Sequence, residues 1–161
     1  MLPKEKKEYT MKKKYVELIC GRETQERLRQ WCLDLEYNIA MSYDGESIEI
    51  SKFNFHTTVM YSSNVFSLRN ERRKIHPIRA KAIDIQMLGE MKNIPALIVE
   101  SPRISLLNWK YRCMGLIPSY PIFLPHITVS YDPDSPVYKE KILPDFDLVY
   151  DVLNIDQNLE A

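Results

Sequence analysis

Two short stretches hold residues that could do chemistry together. "FHTTV" and "PHITV" both read His-x-Thr-Val: His56, Thr58 and Val59 in the first, His126, Thr128 and Val129 in the second. They contain two of the chain's three histidines, seventy positions apart. In a strand, alternate side chains share a face, so each histidine stands beside a threonine. Two imidazoles facing one cleft could serve as base and acid on opposite sides of a phosphorus centre, because imidazole titrates near neutrality. A threonine hydroxyl beside each ring could donate to a non-bridging phosphate oxygen and steady the charge that grows there. Which histidine is the base stays open at this point. The third, His76, precedes Pro77 and has no such setting; it reads as a loop residue.

Strict alternation puts Phe55, Thr57, Val59 and Tyr61 opposite His56, Thr58 and Met60. In the second stretch it groups Ser130 with His126 and Thr128, and Tyr131 with Ile127 and Val129. Tyr61 and Tyr131 therefore read as core residues. No Asp/Glu or Cys/His cluster at metal spacing accompanies the histidines, so no metal and no cofactor is expected.

The elements that must position these groups follow from the rest of the chain. "YVELIC", Tyr15 to Cys20, reads as a first strand. "ETQERLRQWCLDL" repeats Leu28, Trp31, Cys32 and Leu35 at helical spacing, with Glu23 and Glu26 in its first turn. Residues 38–52 read as a loop with Asp44-Gly45 as its turn, and 64–74 as charged and irregular. "IRAKAIDIQML" and "ALIVE" read as paired strands joined by a turn over residues 89–95. Ser101-Pro102 predicts a helix start, with Leu106, Trp109 and Cys113 buried and Gly115 as the stop. The loop "IPSYPIFLP" leads to the second His-x-Thr strand, another loop follows, and "FDLVYDVLNID" closes the fold as a strand or two. Such alternation suits an α+β domain, and the repeated pattern suggests two similar lobes.

The chain has 161 residues and formal net charge +0, which fits one domain and gives no reason to expect a long polyanion as partner. A basic tail, residues 1–13, precedes a single domain over 14–161. Lys4 to Lys14 include six lysines, which read as a solvated tail or as a flank to an anion site. The three cysteines, Cys20, Cys32 and Cys113, are odd in number and widely spaced, and read as reduced core residues in a cytoplasmic protein. There is no apolar signal core and no long apolar run, so no membrane is expected as partner.

With these stretches in view, the chain resembles the 2H phosphoesterase superfamily over about residues 14–155 of it. That resemblance implies a bilobal, pseudo-two-fold, RNA 2′,5′-ligase-like fold, with antiparallel sheets lining a central groove and helices outside. Within it, "KKYVELIC", "FHTTVMYSSN" and "FLPHITVSYD" look most like the phage anti-CBASS nucleases, which act against a bacterial antiviral signalling system. The implied activity is metal-independent cleavage of 3′,5′ linkages in small cyclic di- or trinucleotides by attack of a 2′-hydroxyl, inside the host cytoplasm if phage-encoded, by a monomer. The implied site is His56, Thr58, His126 and Thr128, with Tyr15 lining the pocket and Asp156, or Asp151, as its acidic residue. The family's base-stacking aromatic has no counterpart in "IDIQML", which leaves Met87, Leu88 or Trp109 for that task. Other substrates for the same chemistry are linear 2′,5′-oligoadenylates, RNA ends or small cyclic phosphates. A non-catalytic module that sequesters a cyclic nucleotide would need the hydroxyls and aromatics but not both imidazoles.

Overall fold

The computed structural model describes residues 12–62, 68–120 and 122–159. All but the end of the basic tail, and part of the segment read as irregular, lie outside those residues.

Among the described residues eight strands and three α-helices follow one another: β1 (Lys12–Cys20), α1 (Arg22–Asp34), β2 (Ile39–Met41), β3 (Ser47–Glu49), β4 (His56–Ser62), β5 (Glu71–Leu88), β6 (Ile94–Glu100), α2 (Pro102–Cys113), β7 (His126–Thr128), α3 (Pro136–Glu140) and β8 (Leu148–Leu159). Six strands form one sheet in the order β4-β1-β8-β5-β6-β7, with every pairing antiparallel. β2 and β3 form a separate hairpin where a loop was expected, with Gly45 at φ +82° in its turn. The two sheets expected of a bilobal 2H fold are thus one continuous sheet.

β5 is the reason. Its first half, Glu71 to Ala80, pairs with β8; its second half, from Lys81, pairs with β6. The register slips between Lys74 and Ile78, where Pro77 lacks the N–H a ladder needs. The two halves of the sheet therefore meet on one long strand. Its ends, β4 and β7, come back within 8 Å of each other between Cα atoms, and Ser62 forms an isolated bridge with Pro118.

The core lies on one face of the sheet. Val16, Leu18 and Cys20 alternate inward from β1, while Tyr15, Glu17 and Ile19 stay partly exposed. Ile85, Leu97 and Ile127 make a buried cross-strand row from β5 through β6 to β7. Each such aliphatic side chain is worth roughly 1.5–3 kcal/mol on full burial. α1 adds Leu28, Trp31 and Cys32 to that core, as its periodicity indicates.

α2 begins as its sequence predicts: the Ser101 hydroxyl accepts from the Ile104 N–H, Pro102 is the first helical residue, and Gly115 follows the helix end at φ +94°. Its buried face differs. Ile104, Asn108 and Tyr111 point inward, whereas Leu106 and Trp109 are 63% and 62% exposed and Cys113 is exposed too. The cause is Asn108, whose Nδ2 donates to the Val59 carbonyl at 2.7 Å. This turns a polar residue inward and rotates the three apolar ones out. α3 occupies a stretch read as loop; the Ser135 hydroxyl accepts from the Val137 N–H at its start.

Candidate active site

β4 presents the first pair. Its register against β1 sets His56 opposite Ile19, Thr58 opposite Glu17 and Tyr61 opposite Tyr15. Between Thr58 and Met60 the strand carries one residue more than β1, which makes Val59 a β-bulge. The bulge changes the phase. Tyr61, which strict alternation sends to the core, lies on the face of His56 and Thr58 and stacks on Tyr15, with ring centroids 4.3 Å apart at 13°.

The core side keeps the strand in this phase. The Thr57 and Tyr150 hydroxyls are 2.6 Å apart, and both residues are fully buried. Gln25 of α1 clamps the preceding residue: its Oε1 accepts from the Phe55 N–H at 2.7 Å and its Nε2 donates to the Phe55 carbonyl at 2.8 Å.

β7 presents the second pair. His126 lies opposite Ile98 and Thr128 opposite Ala96, with Ile127 between them in the core. The strand ends there. Ser130, grouped with them by alternation, is buried and accepts from the N–H groups of Met41 and Asp132. Tyr131, read as core, is half-buried, and the Thr128 side chain beside it works to lower its titration. It also contacts Tyr43 edge-on at 5.5 Å, while Tyr61 lies 6.3 Å from Tyr120. Burial pushes the Tyr131 hydroxyl up, with Tyr15, Tyr43 and Tyr120 acting in the same direction. Five tyrosines thus form one cluster, which reaches Thr128 through Tyr131.

The two histidines differ. His126 Nδ1 is 2.8 Å from the Leu124 carbonyl, so in the neutral ring Nδ1–H donates there and Nε2 is left as an acceptor. Burial holds His126 below the usual imidazole range, the charge of His56 adds to that, and the Leu124 bond works against it. His56 Nε2 stands 3.5 Å from a Glu17 carboxylate oxygen. The other Glu17 oxygen accepts from Asn154 Nδ2 at 2.9 Å.

Thr58, Glu17, Asn154 and Arg72 follow one another across four adjacent strands. A cavity of about 370 Å³ opens beside His56, lined also by Glu17, Ile19, Arg22, Asn54 and Arg72. Among the described residues no group of three His, Cys, Asp or Glu is placed to hold a metal ion, and no helix is long and apolar enough to cross a membrane.

The other residues singled out by sequence fare unequally. Tyr15 lies on the site face. Asp156 pairs with Tyr15 in the β1–β8 ladder and is exposed at the outer end of that row. Asp151 is held by Lys74 at 3.5 Å, against Gly21. Leu88 is half-buried on the His126–Thr128 face by alternation with Asp84 and Gln86, whereas Met87 follows Ile85 onto the other. Trp109 is exposed on the side of α2 away from Ile104, Asn108 and Tyr111. Sequence reading missed Glu17, Asn154, Tyr43, Tyr61, Tyr120 and Tyr131. Glu17 had a signal: an acid flanked by Val16 and Leu18 in a strand with a buried face.

No curated protein matches this sequence. The model of the family described as Anti-CBASS protein Acb1 matches residues 12–157. That match names an anti-CBASS family and not the 2H phosphoesterases, so the superfamily assignment drawn from the two His-x-Thr strands is corrected. It carries a role against CBASS without the nuclease chemistry expected from the sequence, and the reading as a 2H enzyme cutting 3′,5′ linkages by 2′-hydroxyl attack is set aside. Only the first eleven and last four residues fall outside the match, and the chain belongs to the anti-CBASS protein Acb1 family.

Proposed function

We propose that this chain counteracts CBASS as an enzyme, a hydrolase of phosphodiester bonds in a small cyclic oligonucleotide signal. The observation that carries this reading is the return of β4 to β7, which brings the two strands that carry His56 and His126, each beside a threonine, within 8 Å of each other between Cα atoms. Two imidazoles so placed form an acid–base pair, and proton transfer by a positioned side chain contributes typically 10²–10⁴-fold in rate. Thr58 and Thr128 hold the phosphate between them. The clustered tyrosines offer ring faces for nucleobases, which stack on aromatics whatever their identity. Asp156, at the end of the Tyr15 row, is placed to meet a polar edge of the ligand.

Incubating the protein with cyclic di- and trinucleotides, and resolving the products by chromatography, tests this. Linear products that vanish in His56→Ala and His126→Ala support the reading. Recovery of intact ligand bound to the protein would make it a sequestering module instead.

A further inference from the structure

We propose that Glu17 is a positioning residue that makes His56 the proton donor of the pair and leaves His126 as the proton acceptor. This rests on the acid–base reading of the two histidines and assigns their separate roles.

The geometry is asymmetric. His126 is tied through Nδ1 to a neutral carbonyl, which leaves the Nε2 lone pair available. His56 has a carboxylate 3.5 Å from Nε2. That distance exceeds a hydrogen bond, so Glu17 holds the charge of an imidazolium without locking up its proton. Glu17 is itself fixed, because Asn154 donates to its other oxygen.

The surroundings make Glu17 decisive. The charged groups that line the cavity with His56 are Arg22 from α1, Arg72 from β5 and Glu17 from β1. His126 stands on β7, which returns to within 8 Å of the His56 strand between Cα atoms. Lys74 ends the cross-strand row that runs from His56 through Ile19 and Val152, and is engaged by Asp151, while Arg22 is paired with Glu26. Every cation here opposes a second positive charge on His56. Among the described residues Glu17 is the one acid that lines this cavity.

The step balances. The attacking oxygen gives its proton to His126 Nε2 as its bond to phosphorus forms. The bond from phosphorus to the leaving oxygen breaks, and that oxygen takes the proton of His56. The pair finishes with His126 charged and His56 neutral, and exchange with water resets it.

Two measurements on the full chain test the assignment. With three histidines in the sequence, the imidazole signals can be followed separately by NMR through a pH titration. In Glu17→Gln the His56 midpoint should fall, because the variant removes the carboxylate that stands 3.5 Å from its Nε2. The His126 midpoint should hold or rise, because the charge opposing it weakens. Asn154→Leu, which leaves the carboxylate but frees it, should shift His56 the same way by less. The pH–rate profile should lose its alkaline side first in Glu17→Gln, with the acid side unmoved or moved slightly to higher pH. A His56 midpoint that stays put in both folded variants, or one that moves together with His126, would overturn the proposal. The titration needs no substrate. Wild-type protein that leaves every cyclic oligonucleotide uncut would refute the enzyme reading, and that outcome is distinct from the titration result.

Discussion

Tyr150→Phe removes a single hydroxyl from beneath β4 and leaves the packing volume of the ring in place. The lost atom is the partner of the Thr57 hydroxyl, 2.6 Å away, and both residues are fully buried. Burial pushes the Tyr150 hydroxyl well above the usual phenol range, so the bond stays protonated at working pH. The variant forfeits that bond and strands the Thr57 hydroxyl away from water. A buried group left unsatisfied costs about 1–3 kcal/mol. Thr57→Val does the reverse, stranding the Tyr150 hydroxyl for a similar cost. The double variant strands nothing, since both partners become apolar with nearly the same shape, and should cost less than about 1 kcal/mol. Urea unfolding with an unchanged slope is the assay. The reasoning fails if the double variant costs the sum of the two singles, or if either single is indistinguishable from wild type. Because Thr57 sits between His56 and Thr58, each single variant should also lower turnover more than its modest stability loss implies.

His56→Ala and His126→Ala should each lower turnover by roughly 10²–10⁴, with the double variant little worse, and chelators should leave wild-type turnover unchanged. Lability toward acid should follow from His126. Its folded-state titration lies below the ordinary value, so the unfolded chain binds more protons as pH falls, and stability drops from about pH 6.5 downward. His126→Asn should flatten that decline in a urea series run at successive pH values. One thiol, Cys113, should react rapidly with a disulfide reagent, and two only on unfolding. Cys20 and Cys32 are buried, and burial pushes the Cys32 thiol up to about 12.

The sequence showed where the histidines and threonines lie and that both strands put them side by side, because period-2 alternation needs no tertiary knowledge. It failed where a local irregularity changed the phase. Nothing in "HTTVMYS" marks Val59 as a bulge; the extra residue is visible only against β1, and it carries Tyr61 from core to site. Tyr131 was misplaced for a related reason: β7 ends at Thr128, and alternation extends no further than the ladder. On α2 the apolar spacing of Leu106, Trp109 and Cys113 was as helical as the true inner face. Only the bond from Asn108 to the Val59 carbonyl decides between the two. Glu17 became part of the site through a cross-strand neighbour, and pairing register cannot be read from one strand alone.

β5 sets the spacing between the two halves of the site. His56 hangs from the half of the sheet that pairs with the first part of this strand, His126 from the half that pairs with the second, and the slip around Pro77 lies between Lys74 and Ile78. Two strand spacings, roughly 10 Å, separate β5 from β7. A change of about 5° in the bend of β5 would carry His126 through about 1 Å, a displacement that can cost on the order of 10²-fold in rate. Substitutions at Ile75, His76 or Pro77 would then act as a caliper screw, retuning the width offered to a ring of given size while the acid, the base and both hydroxyls keep their identity.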